Sequence, residues 1–288
     1  LVPFLGESRA NPMQQLGKAE LKRLRALKTE HGREQHRLFV AEGYRLVRAA
    51  LEASAAVTRI VMTPEFAHSS AGKELSQLAL GDKGIPLTIV EERVFRDIAA
   101  TTHAQGVAAI VRMPGWPSRA PWQSGLTVAL YRVRDPGNLG TIWRSAAWFG
   151  ADRLVLSKGC VDPHNPKAVR ATMGGIFYVP CEPVEDLANW LAAARAAGYR
   201  ILAADVRGES DRWPADAKEA VLVAGGETEP LDPSVLRVVE TTLRIPCWGA
   251  GDSLNVAMAV SILLDEWRRS QGDQLRPTGP SQGRGEPE

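Results

Sequence analysis

The 288-residue chain predicts an α/β protein in two domains, and three observations carry that expectation. Short apolar runs of β type alternate with segments of helical period from residue 16 to residue 269, as layered α/β domains require. A connector rich in Pro, Trp and Ser, PGWPSRAPWQSG (114–125), interrupts that alternation and can continue neither a strand nor a helix. The length suits two domains, because single domains centre on roughly 100–150 residues.

Taken in order, residues 1–12 (LVPFLGESRANP) begin without Met and show no period. Met13 is read as a start, and the residues before it as a leader or an expression remnant. Helical period runs from Leu16 to Lys28, with Leu16, Leu21, Leu24 and Leu27 on one side. The strand RLFVA (37–41) precedes a helix from Glu42. VTRIVMT (57–63) precedes a helix near 72–80, and PLTIV (86–90) precedes one near 91–99. GVAAIVRM (106–113) closes a first domain, 13–113. A second domain, 126–270, opens with LTVALY (126–131) and a helix from Asn138. RLVLS (153–157), a helix near 166–173 and a strand IFYVP (176–180) follow. A helix near 183–197 leads to the strands YRILAAD (199–205), AVLVA (220–224) and TLRIP (242–246), and the final helix spans Ser253 to Arg269. The polar, Gly- and Pro-rich tail, 271–288, reads as disordered.

Composition excludes several classes. Hydrophobic residues make up 44% of the chain, enough for a buried core, yet no apolar stretch reaches the ~20 residues of a membrane span. No charged-then-apolar segment opens the chain, so a cytoplasmic protein is expected. Cys160, Cys181 and Cys247 are odd in number and widely spaced, which suits neither a disulfide scaffold nor a zinc site. His31, His36, His68, His103 and His164 lack ligand spacing, and no metal is expected. Net charge is only +2, but Lys18 to Arg48 holds nine basic residues against four acidic ones. Such a local patch suits attraction to phosphates on one face. The plainer reading of the same run is a solvated helix face.

Three segments after expected strands stand out, because ligands of open α/β sheets bind beyond the carboxyl ends of strands. In RVRDPGNLGTIWRSAAWFG (132–150), Asp135-Pro136-Gly137 must turn, Asn138 can cap the helix, and Gly140 allows close approach of backbone. A capped helix with an exposed Arg144 is the bland alternative, though it leaves Gly140 in the first turn unexplained. In VLVAGGETEPLDPSVL (221–236) a buried strand runs into Gly225-Gly226-Glu227, a ligand-facing loop or an ordinary turn. In RIPCWGAGDSLNVAMAVSILLDEW (244–267) a loop containing Gly249 and Gly251 leads, through a cap at Asp252 or Ser253, into a helix that is apolar almost all round. Such a helix must be buried on several sides, and a subunit interface is one way to bury it. The Gly-Ala-Gly there is not a dinucleotide fingerprint, since Leu254 holds the third glycine position and no further strand follows.

In this order, the three segments resemble the motifs of the SpoU/TrmH RNA methyltransferases, of the SPOUT superfamily. The matching residues are Asp135, Pro136, Asn138, Gly140 and Arg144; Gly225 and Glu227; and Ile245, Pro246, Ser253, Leu254, Asn255 and Val256. DPHNPKAVRATMGGIFYVP (162–180), with Lys167, Arg170 and Gly174, is similar to the family's intermediate segment. FVAEGYRLV (39–47) is similar to the start of its small substrate-binding domain, itself like certain RNA-binding ribosomal proteins. Two positions depart from the pattern. Gly226 replaces the usual Asn or Ser before the glutamate, and Pro230 replaces a glycine after it, removing one backbone donor.

The resemblance implies a C-terminal SPOUT methyltransferase domain with a trefoil knot, a small N-terminal α/β RNA-binding domain, and a homodimer. It also implies S-adenosylmethionine as cofactor and a ribose 2′-hydroxyl of RNA as acceptor, with ribosomal RNA ahead of transfer RNA. Arg144, Asn138, Glu227, Ser253 and Asn255 would then be catalytic. Leu222, Val223, Ala224, Gly225, Glu227, Ile245, Ser253, Leu254 and Asn255 would bind the cofactor. Arg23, Arg25, Arg33, Arg37, Lys167 and Arg170 would contact RNA. The rival readings are a non-catalytic RNA-binding protein of the same fold and an unrelated doubly wound nucleotide enzyme.

Overall fold

The periodic leucines near the start of the chain fold as one helix, and a second short helix, outside that period, follows it. In the computed structural model, which describes residues 16–81, 84–115, 125–225 and 230–271, α1 (Lys18–Ala26) stops and α2 (Glu30–His36) begins anew. The Thr29 hydroxyl starts α2 by accepting from the Gly32 amide at 3.2 Å. A Cβ on Gly32 would lie 2.0 Å from the Ala26 carbonyl oxygen, so only glycine permits the crossing. Residues 1–12, read from the sequence as a leader or remnant, residues 116–124 of the connector, Gly226, Glu227 and the tail from 272 onward lie outside the described residues.

There follow β1 (Leu38–Glu42), α3 (Tyr44–Glu52), β2 (Val57–Met62), α4 (Pro64–His68), α5 (Ser70–Leu80), β3 (Leu87–Ile89), α6 (Glu92–Ile98) and β4 (Val107–Arg112). The sheet order is β1-β4-β2-β3, with β4 antiparallel to β1 and β2, and β3 parallel to β2. Glu42, expected to open a helix, instead completes β1 opposite Ala108, and Gly43 at φ +102 makes the turn. Strand alternation sorts the core. Phe39, Ala41, Ile60 and Met62 pack with Leu46, Leu51 and Leu75 of α3 and α5, while Leu38, Val40 and Val61 pack with Leu24, Leu27, Phe95 and Ile98.

The remaining elements are β5 (Leu126–Tyr131), α7 (Pro136–Phe149), β6 (Arg153–Ser157), α8 (Pro166–Ala171), β7 (Cys181–Val184), α9 (Leu187–Ala196), β8 (Arg200–Ala204), β9 (Ala220–Gly225), α10 (Pro233–Leu236), β10 (Thr241–Leu243) and α11 (Val256–Ser270). The six strands form one parallel sheet, ordered β10-β8-β9-β5-β6-β7. β5 is buried along its whole length, as a parallel strand covered on both faces must be.

One expected strand is absent. IFYVP (176–180) forms a 3₁₀ turn at Gly175–Phe177, and the strand starts later, at Cys181. Gly174 at φ +100 turns the chain, and a Cβ there would meet the Ala49 Cβ at 2.7 Å. Ile176 and Phe177 pack into the Phe39 core, with the Phe39 and Phe177 rings stacked at 6.3 Å, so their burial is won without joining the sheet.

Two compact units result, and they do not follow chain order. The first combines residues 16–115 with Asp135–Arg144 and Val161–Tyr178; the second holds 125–134, Ser145–Cys160 and 179–271. α7 therefore begins in one and ends in the other. Among the described residues no helix is long and apolar enough to cross a membrane.

Candidate active site

The three singled-out segments follow strands of one sheet. β5, β9 and β10 run in the same direction, so their carboxyl ends share the side on which parallel sheets bind ligands.

In the first segment, Arg132 at φ 52 turns the chain, and its amide donates to the Ser157 hydroxyl at 2.9 Å. Asp135, not Asn138, caps the helix. Its Oδ1 accepts from the Asn138 amide at 2.8 Å, and its Oδ2 faces Lys167 Nζ at 3.3 Å. The Asn138 amide first, and then Lys167, hold the Asp135 carboxyl below the usual carboxylate range. Asn138 itself is half-buried in the first turn. The close approach expected at Gly140 is that of another helix: a Cβ there would lie 2.4 Å from both the Ala168 carbonyl oxygen and the Ala171 Cβ of α8. Arg144, two turns into the helix, is exposed and makes no hydrogen bond or ion pair with any described residue.

In the second segment, Leu222 and Val223 pair with β5 on one side and β8 on the other. Their backbone groups are committed to the ladder. The β8 ladder ends at Ala203–Val223, so Ala224 and Gly225 each keep an open side. Glu227 lies outside the described residues.

In the third, Ile245 is half-buried, and Ser253, Leu254 and Asn255 are exposed. The cap is Asn255, whose Oδ1 accepts from Ala257 N at 2.9 Å and Met258 N at 3.4 Å. This corrects the expected cap at Asp252 or Ser253 and moves the helix start to Val256. α11 buries Val256, Ala257, Val260, Leu263, Leu264 and Trp267, while Met258 and Ile262 stay exposed.

The basic residues divide sharply. Arg23, Arg37, Lys167 and Arg170 are exposed, and Arg25 is half-exposed in an ion pair with Asp97. Arg33 is not at the surface. It is buried against Asp162, with Nε 2.9 Å from the carboxylate, and NH1 donates to the Leu27 carbonyl at 2.9 Å. The expectation that Arg33 contacts RNA is therefore corrected: its charge is matched inside the protein. The pairing of Arg33 with Asp162 is not legible in the sequence, since nothing in the spacing links residue 33 to residue 162. Burial pushes His164 down to about 4, and its ring packs on Phe39 at 4.8 Å. Among the described residues no group of three His, Cys, Asp or Glu could hold a metal.

Residues 125–265 match the family described as "SpoU rRNA Methylase family", and residues 18–109 match an "MRM3-like substrate binding domain". Relatives include a 23S rRNA (guanosine(2553)-2'-O)-methyltransferase of Bacillus subtilis, 28% identical, with 85% of this chain and 94% of that one covered. The mitochondrial rRNA methyltransferase 3A of Danio rerio is 31% identical, with 88% of this chain and 68% of that one covered. The structure of an AdoMet-bound rRNA methyltransferase from Sinorhizobium meliloti superposes with a TM-score of 0.76 at 32% identity, covering 90% of this chain and 97% of that one.

Proposed function

The chain belongs to the SpoU/TrmH family of RNA methyltransferases, and from that membership we propose how its residues divide the work. It is an S-adenosylmethionine-dependent RNA ribose 2′-O-methyltransferase. The observation that carries the site assignment is the common carboxyl-terminal side of the parallel strands β5, β9 and β10, from which all three motif segments leave. Ribosomal RNA is the proposed substrate, supported by the family's description and by both named relatives.

The open ends of β9, at Ala224 and Gly225, suit a flat adenosyl group. Neither residue presents a bulky side chain, and each still has an unpaired ladder side. Ile245, Ser253 and Leu254 would complete that cradle. The cofactor supplies an electrophilic methyl group on sulfonium. A guanidinium group carries donors and no acceptor, so Arg144 donates hydrogen bonds rather than taking the hydroxyl proton. It holds the phosphate beside the target ribose and stabilises developing negative charge on the 2′-oxygen, while the hydroxyl proton passes to water. Asn138, Ser253 and the Asn255 amide group fix that geometry, and Glu227 orients Arg144 from a second copy. Arg23, Arg25, Arg37, Lys167 and Arg170 meet RNA phosphates. The two functional domains are 13–113 and 126–270, and the knotted chain path at the cofactor belongs to the same reading.

A homodimer is supported by apolar surface on two adjoining helices. Ser145 and Ser261 hydroxyls meet at 2.7 Å, aligning α7 with α11, and beside them Trp148, Met258 and Ile262 are exposed, Trp148 by 84%. The cytoplasm is the proposed location.

Incubation with methyl-labelled S-adenosylmethionine and unmodified ribosomal or transfer RNA, followed by nucleoside mass spectrometry, tests the substrate. A 2′-O-methylnucleoside in ribosomal RNA is expected; label in transfer RNA alone would overturn that choice.

A further inference from the structure

We propose that a cleft at the start of α3 holds one unpaired nucleotide of the RNA substrate. The proposal rests on the RNA-methyltransferase reading but uses none of Asn138, Arg144, Ser253 or Asn255.

The cleft, of about 650 Å³, is walled by the β1–α3 turn, by residues 100–105 and by Arg170 and Met173 of the intermediate segment. That volume is in the range of small-molecule pockets, roughly 300–1,000 Å³. It suits one extruded nucleotide; a duplex is far too wide.

Its walls are pinned by their own hydrogen bonds. The Glu42 carboxylate accepts from the amides of Ala100 at 2.8 Å and Thr101 at 3.3 Å, and from the Thr101 hydroxyl. The acid at the cleft is thus occupied in holding the loop. Gln105 accepts from the Tyr44 amide at 3.0 Å through Oε1, which leaves its NH₂ as a donor. The Tyr44 hydroxyl meets Glu74 at 2.8 Å, which fixes the ring in the wall.

The cations differ. Arg45, Arg170 and His103 are exposed, and among the described residues none of them makes an ion pair. Two unneutralised guanidinium groups in a cleft whose carboxylate is engaged select an anion, and guanidinium geometry matches phosphate. The rings of Tyr44 and His103, with the Gln105 amide, offer stacking and hydrogen bonding to a base. Phosphate and planar base together describe a nucleotide. Because sequence-specific RNA recognition targets unpaired bases, the occupant is an unpaired residue of the RNA.

The test is fluorescence anisotropy with the full chain, without cofactor, using labelled single-stranded RNA of about twelve nucleotides and a duplex of the same length. Arg45→Gln and Arg170→Gln should each weaken single-strand binding roughly tenfold and lower the salt slope by about one. His103→Ala should weaken single-strand binding and leave duplex binding unchanged. Arg93→Gln, on the exposed face of α6, serves as the charge-matched control and should bind as the unaltered chain does. Melting temperatures measured alongside exclude misfolding. Wild-type-like binding by Arg45→Gln and His103→Ala would overturn the proposal. So would complete competition by adenosine monophosphate at concentrations comparable to the RNA, which would make this a free-nucleotide site. The readout is independent of methyl transfer. Normal transfer with unaltered binding by the variants removes the cleft alone; absent transfer with variant-sensitive binding removes the substrate assignment and leaves the cleft.

Discussion

Arg33 and Asp162, 129 positions apart, form an ion pair with side chains only 4% and 10% exposed. It joins α2 to the loop ahead of α8, and the third guanidinium contact goes to the Leu27 carbonyl. Removing one partner of a buried pair strands the other charge. Arg33→Met should therefore destabilise the protein by about 3–5 kcal/mol, measured by urea unfolding. Arg37→Gln, at the surface nearby, should change stability by less than about 0.5 kcal/mol. Equal losses in the two variants would refute the buried-pair account.

His164 gives this region a pH dependence with a definite sign. Burial first, then the nearby Arg33 and Arg37, lowers its value from 6.5 to about 4, against the opposing pull of Asp162. Between those values the unfolded chain binds a proton that the folded chain does not, so stability is full above pH 6.5 and falls as pH drops toward 4. His164→Phe, which keeps a ring against Phe39, should flatten that part of the melting-temperature profile. An unchanged profile would assign the acid sensitivity elsewhere.

Gly140→Ala pits two effects against each other. Alanine gains about 1 kcal/mol of helix propensity, but the new methyl group would sit 2.4 Å from the Ala168 carbonyl oxygen and from the Ala171 Cβ. Backbone cannot yield as a flexible side chain can, and overpacking costs about 1–3 kcal/mol, so net destabilisation is expected in urea titrations. A more stable variant would show that α7 and α8 can separate freely.

Arg144→Ala should lower methyl transfer by about 100-fold or more while S-adenosylmethionine affinity, read by calorimetry, stays within about twofold. Arg144→Lys should not restore the rate, since a point charge cannot reproduce a fork of donors. Retained turnover in the alanine variant would remove Arg144 from the mechanism.

Asn255→Ala removes the two hydrogen bonds that start α11. Loss of a cap of this kind costs about 1 kcal/mol. Asn255→Asp should recover stability but not necessarily transfer, and recovery of both would mean that the residue acts only as a cap.

Much of the fold was legible before any coordinates. The apolar runs at 126–131, 153–157 and 220–224 became β5, β6 and β9, because a strand buried on both faces has to be apolar throughout. The family was readable through resemblance, because Asn138, Arg144, Ser253 and Asn255 lie in short local motifs. Local rules failed where long-range burial outweighed them. Residues 176–180 look like a strand, yet Ile176 and Phe177 satisfy their burial against Phe39. Asp135 displaced Asn138 as cap, and Asn255 displaced Ser253, because several side chains near each helix start can accept from an amide and only geometry selects one.

Charge was the least legible property. Nine basic residues between Lys18 and Arg48 read as one patch, but tertiary structure sorted them. Arg33 went inside to Asp162, Arg25 pairs with Asp97 at the surface, and Arg45 lies at the mouth of a cleft whose other walls come from residues 100–105 and Arg170. By itself the sequence determined the alternation of elements, the motif residues and the chemistry they imply, since these depend on neighbours a few positions away. Only the tertiary structure decided which cations remain free to meet phosphate, because whether a charge is neutralised depends on residues that the chain brings close from 72 or 129 positions away.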